Sequence, residues 1–425
     1  MPSWRILRSP SLMRRNTQYP MTSSMVSRPM QRTLMCISVC LAVYLVVYCF
    51  FNAVLYPASL ARLPQHERAF HDSSTPKPVD ILIFAATKFF NMDITDVRFL
   101  SECSSSKDWC HLSMNGSDYE DADAVLFHNA DFGRYHNSDV FKSRRLAVPY
   151  VLWSLESPSN DFLRPGRDLI NWTMTYRRDA DVWYPYGHMI RKRKRSEVDY
   201  EAIWSMKNKS LPPATWLASN CHASNGRQKI IQKLEEHGLK VDRWGRCGKR
   251  APACDGVDKQ GWDCVVQLIK PYKFYMAFEN SDCKDYVTEK FYETLRSRMA
   301  VPIVSQRSIY EAVGIPSSSF IALSDFDSIE ALAGRVVSVA QNKAAYLQYH
   351  KWREEYEVIP EHHDSTGFCE LCRRLQKRKH SSQKELQASA KSYNSVQIWH
   401  SNGSCSDSFS KKYLTETNRN TSTIR

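Results

Sequence analysis

The chain is expected to fold as two α/β domains in tandem behind an N-terminal membrane anchor, and three observations predict this. At 425 residues it exceeds the size at which one hydrophobic core keeps growing. Strand-like and helix-like segments alternate on both sides of a basic stretch at 189–209. Residues 34–56 form an uncharged apolar run whose notably polar members are only Ser38 and Asn52, and about 20 such residues suffice to cross a bilayer.

The anchor sets the topology of everything after it. Arg5, Arg8, Arg14, Arg15, Arg28 and Arg32 precede the run, and no acidic residue occurs before Glu67. The positive-inside rule therefore puts residues 1–33 in the cytoplasm and the bulk of the chain in a lumen. The long basic lead and the length of the apolar core favour an uncleaved signal anchor over a cleaved signal peptide. Net charge is +13, but seven arginines lie within residues 1–66, which hold no lysine and no acid, so the remainder carries only +6. That excess suits an anionic nucleotide substrate and gives no reason to invoke nucleic acid. The stretch 189–209, with RKRKR at Arg191–Arg195, reads as a solvated linker between domains, because a membrane anchor argues against a nuclear signal or a nucleic-acid patch.

A proline-bearing stem follows at 57–78, then a first domain at 79–205 with strands expected over 79–85, 124–127 and 149–153. The second domain, 206–380, begins with a strand at 214–218. A helix over 226–237, a strand over 240–244, a strand over 319–323 and helical spacing over 328–342 are expected within it. Residues 381–425 read as a polar tail, frayed from Gln397 onward.

The richest stretch is 272–304, YKFYMAFENSDCKDYVTEKFYETLRSRMAVPIV. Residues 273–278 mix aromatic and aliphatic side chains as a buried strand does, and 280–285 is turn chemistry. From Thr288 the apolar Phe291, Leu295 and Met299 fall four apart, one face of a helix, before a strand at 301–304. This βαβ unit aims a helix N-terminus, with its unpaired N–H groups and Lys290 in the first turn, at a bound phosphate. Two such domains imply a cleft at the carboxyl ends of their strands.

Four stretches in chain order resemble the α1,3-fucosyltransferases of glycosyltransferase family ten. They are LWSLESPSN at Leu152–Asn160, NWTMTYRRDADVWYPYG at Asn171–Gly187, WLASNCHASNGR at Trp216–Arg227, and F-E-N-S, D-Y-V-T-E-K and V-P-I-V within 272–304; together they span roughly Asp80–Arg374. The resemblance implies a GT-B fold, two Rossmann-like domains facing a cleft. It implies inverting transfer of L-fucose from GDP-β-L-fucose to the 3-hydroxyl of a GlcNAc in glycoprotein or glycolipid glycans, by a single-pass type II membrane protein of the Golgi. The acceptor, a core N-glycan GlcNAc or an outer LacNAc or LacdiNAc arm, stays open. The chain departs from the family pattern at Arg298-Met299, where a small residue and Gly are usual, and at Ser305-Gln306. An inactive, lectin-like or scaffold protein on the same fold is the alternative.

Inversion needs one base to take the proton of the acceptor hydroxyl. Glu156, just past the strand at 149–153, is the candidate, and the family's base matches it. Arg227, at the start of a helix after Asn225-Gly226, and Lys290 are placed to neutralise the departing diphosphate. By resemblance the same two contact the diphosphate, Glu289 holds the ribose, and Tyr286 and Asn280 complete the nucleotide contacts. Tyr275 joins this donor-binding set. Glu279 either steadies the charge that develops on the fucose ring, the preferred role, or pairs with Arg227 or Lys290. Asp121-Ala-Asp123 and Asp179-Ala-Asp181 spell D-x-D, but no metal is expected on them; Mn²⁺ is allowed only as a stimulant acting on the donor. Tyr176, Arg177 and Arg178 are expected to shape the cleft or bind donor. No tightly bound cofactor is expected.

Ten cysteines lie beyond the anchor, an even count that suggests disulfides in an oxidising lumen. Cys369-Glu-Leu-Cys372 lacks a second ligand pair for zinc. The resemblance implies instead that Cys103 and Cys110 are bridged to Cys369 and Cys372. Sequons at Asn115, Asn171, Asn208, Asn402 and Asn420 all follow the anchor.

Overall fold

The computed structural model describes residues 78–96, 99–133, 144–161, 163–251, 254, 263–388 and 392–415. The cytoplasmic segment, the anchor, the stem up to 77 and Asn420 lie outside these residues. Among the described residues no helix is long and apolar enough to cross a membrane.

Two parallel sheets organise the chain. The first has strands β1 (Ile81–Ala85), β2 (Cys110–Ser113), β3 (Ala124–His128), β4 (Tyr150–Trp153), β5 (Trp172–Thr175) and β6 (Val182–Trp183), in the order β2-β1-β3-β4-β5-β6. An antiparallel strand, β7 (Gly187–Arg191), leads out of it. The second sheet has β8 (Ala214–Leu217), β9 (Val241–Trp244), β10 (Phe274–Met276), β11 (Val301–Val304) and β12 (Ile321–Ala322), in the order β12-β11-β10-β8-β9. Strands such as AVLFH, YVLW and VPIV are apolar without alternation because parallel sheets are covered on both faces.

The covering layers follow from helix amphipathicity. Helices Arg227–Glu236 and Ile329–Gln341 bury Ile230, Ile231, Leu234, Leu332, Val336 and Val339 on one face of the second sheet. On its other face, helix Glu289–Arg296 buries Phe291 and Leu295 with Ile269, Val304 and Tyr310. Met299, one of the departures from the family pattern, takes φ 51 in the corner before β11. A side chain in that left-handed region costs about 1–2 kcal/mol, a cost glycine escapes.

Three expectations are corrected here. The stretch at 189–209 is not a solvated linker: β7 pairs with β13 (Tyr356–Pro360) from Gly187↔Pro360 to Arg191↔Tyr356, and helix Tyr200–Ser205 follows. Arg191 and Arg195 remain exposed but pair with Glu355. At Gly187 a Cβ would lie 2.7 Å from the Tyr292 ring, so only glycine lets this ribbon press against helix Glu289–Arg296. Second, helix Gly367–Lys379, assigned by sequence to the second domain, packs Phe368, Leu371 and Leu375 against Ile81, Ile83, Leu126 and Trp153 of the first sheet. Disulfides Cys103–Cys369 and Cys110–Cys372 hold it there, joining the two pairs that the resemblance linked and fixing a connectivity that the sequence left open. Cys221–Cys247 and Cys283–Cys405 add two more. Third, the described part of the supposed tail includes helices Val396–Ser401 and Phe409–Thr415, and its Tyr413 sits in the second sheet's core. Its apolar residues are sparse enough to read as polar, yet Tyr393, Val396 and Tyr413 are each buried.

Candidate active site

Glu156 lies three residues past β4, where the chain leaves the carboxyl edge of the first sheet. Its Oε1 accepts from the Ser157 backbone N–H at 2.8 Å, from the Tyr286 hydroxyl at 2.7 Å and from Asn280 Nδ2 at 3.3 Å. The last two come from the turn between β10 and helix Glu289–Arg296, so the second sheet's turn closes directly on the first sheet's carboxylate. Asn160 Nδ2 donating to Ser281 Oγ at 3.4 Å and the Arg178 N–H donating to Asp285 at 3.0 Å strengthen the seam. Three donors thus fix one oxygen, and Oε2 is left without a hydrogen bond among the described residues.

The helix N-terminus beyond that turn carries the charged cluster. Thr288 caps the helix, and Lys290 Nζ reaches Thr288 Oγ1 at 2.9 Å, Glu279 at 3.1 Å and Glu289 at 3.2 Å. Burial works against the ammonium, but Glu279 and Glu289 outweigh it and hold Lys290 above its ordinary value. Glu289 moves the other way: burial would raise it, and Lys290 with the Thr288 hydroxyl pulls it below the usual carboxylate range. Tyr186, missed in sequence, donates to the Leu155 carbonyl at 2.7 Å and lies edge-on to Tyr286. Burial raises its hydroxyl well above the ordinary value, and Glu289, Glu156, Glu361 and Glu279 push further. Glu361, just past β13, is itself pushed up to about 8 by burial and then by Glu289.

Glu279 takes the pairing role rather than the one preferred from sequence. Only 3 % exposed, it accepts from the Thr288 N–H at 2.8 Å and from Thr288 Oγ1 at 2.9 Å while closing on Lys290. A carboxylate at a helix N-terminus is drawn to those donors, and little of it remains to face a sugar. Tyr275 is also displaced from its expected place. It is fully buried, donates to the Leu217 carbonyl at 3.3 Å and lies under the Arg298 guanidinium, 4.9 Å away, in the core beneath the site.

Arg227 begins its helix after Gly226, which takes φ 70. It is 4 % exposed, donating to the carbonyls of Phe278 at 2.8 Å and Asn220 at 3.1 Å. Its Nε is buried and makes no hydrogen bond among the described residues. Burial lowers it from the ordinary arginine value, against the opposing pull of Glu279. An arginine held by two carbonyls with a donor to spare is suited to an anion.

Three of the four D-x-D carboxylates are engaged in structure, and Asp121 is exposed. Asp179 accepts from Arg177 Nε and Nη2 at 2.8 and 2.7 Å, Asp181 accepts from the Thr173 N–H and the Tyr393 hydroxyl, and Asp123 accepts from the Leu82 N–H. Tyr176 is buried edge-on to Tyr286, and Arg178 donates to the Ala312 carbonyl. Asn115, Asn208 and Asn402 are exposed, but the Asn171 side chain turns inward to accept from the Tyr150 N–H at 2.9 Å.

Asp282, inside the turn, gives a pH prediction. Burial, then Asp407 and Glu279, push its carboxyl from 3.8 up to about 7, against hydrogen bonds from Ser305 and Asn225. The folded chain therefore keeps a proton that the unfolded chain releases, so this contribution is complete below pH 4 and is lost as pH rises toward 7. Asp282→Asn should remove that fall, raising stability at pH 7 by at most about 4 kcal/mol and hardly at pH 4. Thermal melts of both proteins from pH 4 to 8 check this; parallel curves would refute it.

Residues 76–187 match the family described as "Fucosyltransferase, N-terminal", and 204–399 match "Glycosyltransferase family 10 (fucosyltransferase) C-term". The chain is similar to alpha-(1,3)-fucosyltransferase fut-6 of Caenorhabditis elegans, at 46% identity over 79% of this chain and 84% of that protein. It is also similar to fut-5 of the same organism, at 36% identity over 79% and 86%. The solved "Crystal Structure of alpha1,3-Fucosyltransferase with GDP-fucose" is a more distant likeness. It shows 15% identity and a TM-score of 0.45 over 74% of this chain and 90% of that one.

Proposed function

The chain belongs to glycosyltransferase family 10, the fucosyltransferases, and from that membership we infer that it moves L-fucose from GDP-β-L-fucose to the 3-hydroxyl of a GlcNAc in glycoprotein or glycolipid glycans. The observation that carries the reading is Glu156. Its Oε1 is fixed by donors from the opposite sheet and its Oε2 is open, beside a helix N-terminus that bears a raised ammonium.

In this reading the acceptor oxygen attacks C1 of fucose from the face opposite the nucleotide. The bond from C1 to the acceptor oxygen forms as the bond from C1 to the diphosphate oxygen breaks, and Glu156 Oε2 takes the hydroxyl proton. Lys290 and Arg227 meet the charge gathering on GDP. Glu289, held below the usual carboxylate range, stays ionised to accept from the ribose hydroxyls. Asn280 and Tyr286, rather than only touching nucleotide, orient the base. The two parallel sheets fit the GT-B arrangement. Mn²⁺ is assigned no place among the protein ligands and acts, where it stimulates, through the donor. Anchoring at 34–56 with a lumenal catalytic region in the Golgi is supported by the apolar run, the arginines before it and the sequons after it.

Residues 66–425 incubated with GDP-fucose and a panel of glycans ending in core GlcNAc, LacNAc or LacdiNAc should yield one α1,3-fucosylated product class. Intact donor and unmodified glycans throughout would defeat the reading and favour an inactive carbohydrate-binding protein.

A further inference from the structure

The family match ends at 399, yet the chain goes on to grip the site. Arg177, whose guanidinium lies 4.2 Å over the Trp399 ring, donates to the His400 carbonyl and to Ser404 Oγ at 3.0 Å each. Cys405 is bridged to Cys283, and the Lys284 N–H donates to the Ser404 carbonyl at 2.6 Å. Asp407 accepts from the Asp282 N–H at 2.8 Å and from Ser224 Oγ at 2.7 Å. Ser410 donates to the carbonyl of Asn225, the residue whose side chain accepts from the Arg227 N–H. Tyr413 then closes the segment, its hydroxyl donating to the Leu323 and Phe326 carbonyls.

Three of these contacts, those of Cys283, Lys284 and Asp282, fall on one short turn. Asp282, Cys283 and Lys284 lie between Asn280 and Tyr286, the two side chains that donate to Glu156. Two backbone N–H groups of the turn, those of Asp282 and Lys284, have their acceptors in the C-terminal segment. Such groups cannot be left unsatisfied cheaply, so displacing the segment would force the turn to rearrange. A turn that moves takes Asn280 and Tyr286 with it.

We propose that residues 400–413 are a strap that positions the base: Cys405 and Asp407, by holding Cys283 and Asp282, keep Asn280 and Tyr286 on Glu156 and so direct fucose to the sugar acceptor. The proposal rests on the function inferred above and concerns a part of the chain outside the family match. Cys405 and Asp407 are positioning residues, since they act through the turn. Their loss should impair the step that needs the base, proton transfer from the acceptor hydroxyl, more than slow hydrolysis of the donor by water, and a merely structural strap would lower both alike.

The test uses the full chain in detergent. Asp407→Ala should lower kcat for transfer at least tenfold while GDP-fucose hydrolysis without acceptor falls less than threefold. Asp407→Asn, which keeps an oxygen for the Asp282 N–H, should restore transfer to within threefold of the parent. A second arm tests the bridge without risking folding. A protease site placed at 389–391 is cut after purification, then nicked and uncut protein are reduced in parallel and passed over a sizing column. Nicked protein that has shed the strap should lose transfer tenfold relative to uncut reduced protein. Equal loss of transfer and hydrolysis, or unchanged transfer once the strap has gone, would overturn the strap. Parent protein inert toward GDP-fucose would instead overturn the function on which it rests.

Discussion

Glu156→Gln should lower fucose transfer by about 10²- to 10⁴-fold, the usual worth of a positioned general base. GDP affinity should change by roughly a factor of three at most, because the nucleotide is held elsewhere. The substitution isolates the chemistry. A glutamine Oε1 can still accept from Ser157, Asn280 and Tyr286, so the seam between the two sheets is kept and only the proton acceptor is removed. Initial rates with a GlcNAc-bearing acceptor and calorimetric titration with GDP give the two quantities. Loss of both together would mean that Glu156 serves as a structural tie and that another group is the base.

Lys290→Gln should cut kcat/KM for GDP-fucose by about 10²- to 10³-fold, the loss seen when one preorganised stabiliser of a developing anion is removed. It should also destabilise the fold by about 3–5 kcal/mol, since Glu279 would remain buried without its cation. The two effects are separable. Adding Glu279→Gln removes the uncompensated charge, so the double variant should recover most of the stability and none of the activity. Denaturant melts and donor kinetics on the single and double variants check this. A double variant that transfers fucose at the parent rate would show that Lys290 only neutralises Glu279 and has no part in leaving-group departure.

The residues that were legible in sequence share a property: their partners lie nearby in the chain, or their pattern repeats with a helical or strand period. Strand 301–304 was read to the residue, and helices 226–237 and 328–342 to within one residue at each end. Glu156, Lys290 and Arg227 stand at strand ends and helix starts, but it was the resemblance of the surrounding stretches to the family that singled them out. The two-residue strands β6 and β12 and the ribbon β7–β13 are too short or too polar to impose a period, and β13 pairs with a strand more than 150 residues away. Glu279 shows the same limit within the site. Its spelling could not say whether the carboxylate turned toward the sugar or back to Thr288, because that choice depends on which donors burial leaves within reach.

Local pattern and the run of spaced family-like stretches were sufficient for the class of fold, the reaction expected of it and the charged groups proposed to carry it, since each is written in contiguous residues. The path of the chain in three dimensions alone decided that residues 404–407 return to the turn at 282–284, that helix Gly367–Lys379 joins the first sheet, and that Asn280 and Tyr286 donate to Glu156. Those outcomes arise from contacts between residues more than 100 positions apart. The energy that selects them appears only when burial brings the partners together, and no local spacing encodes it.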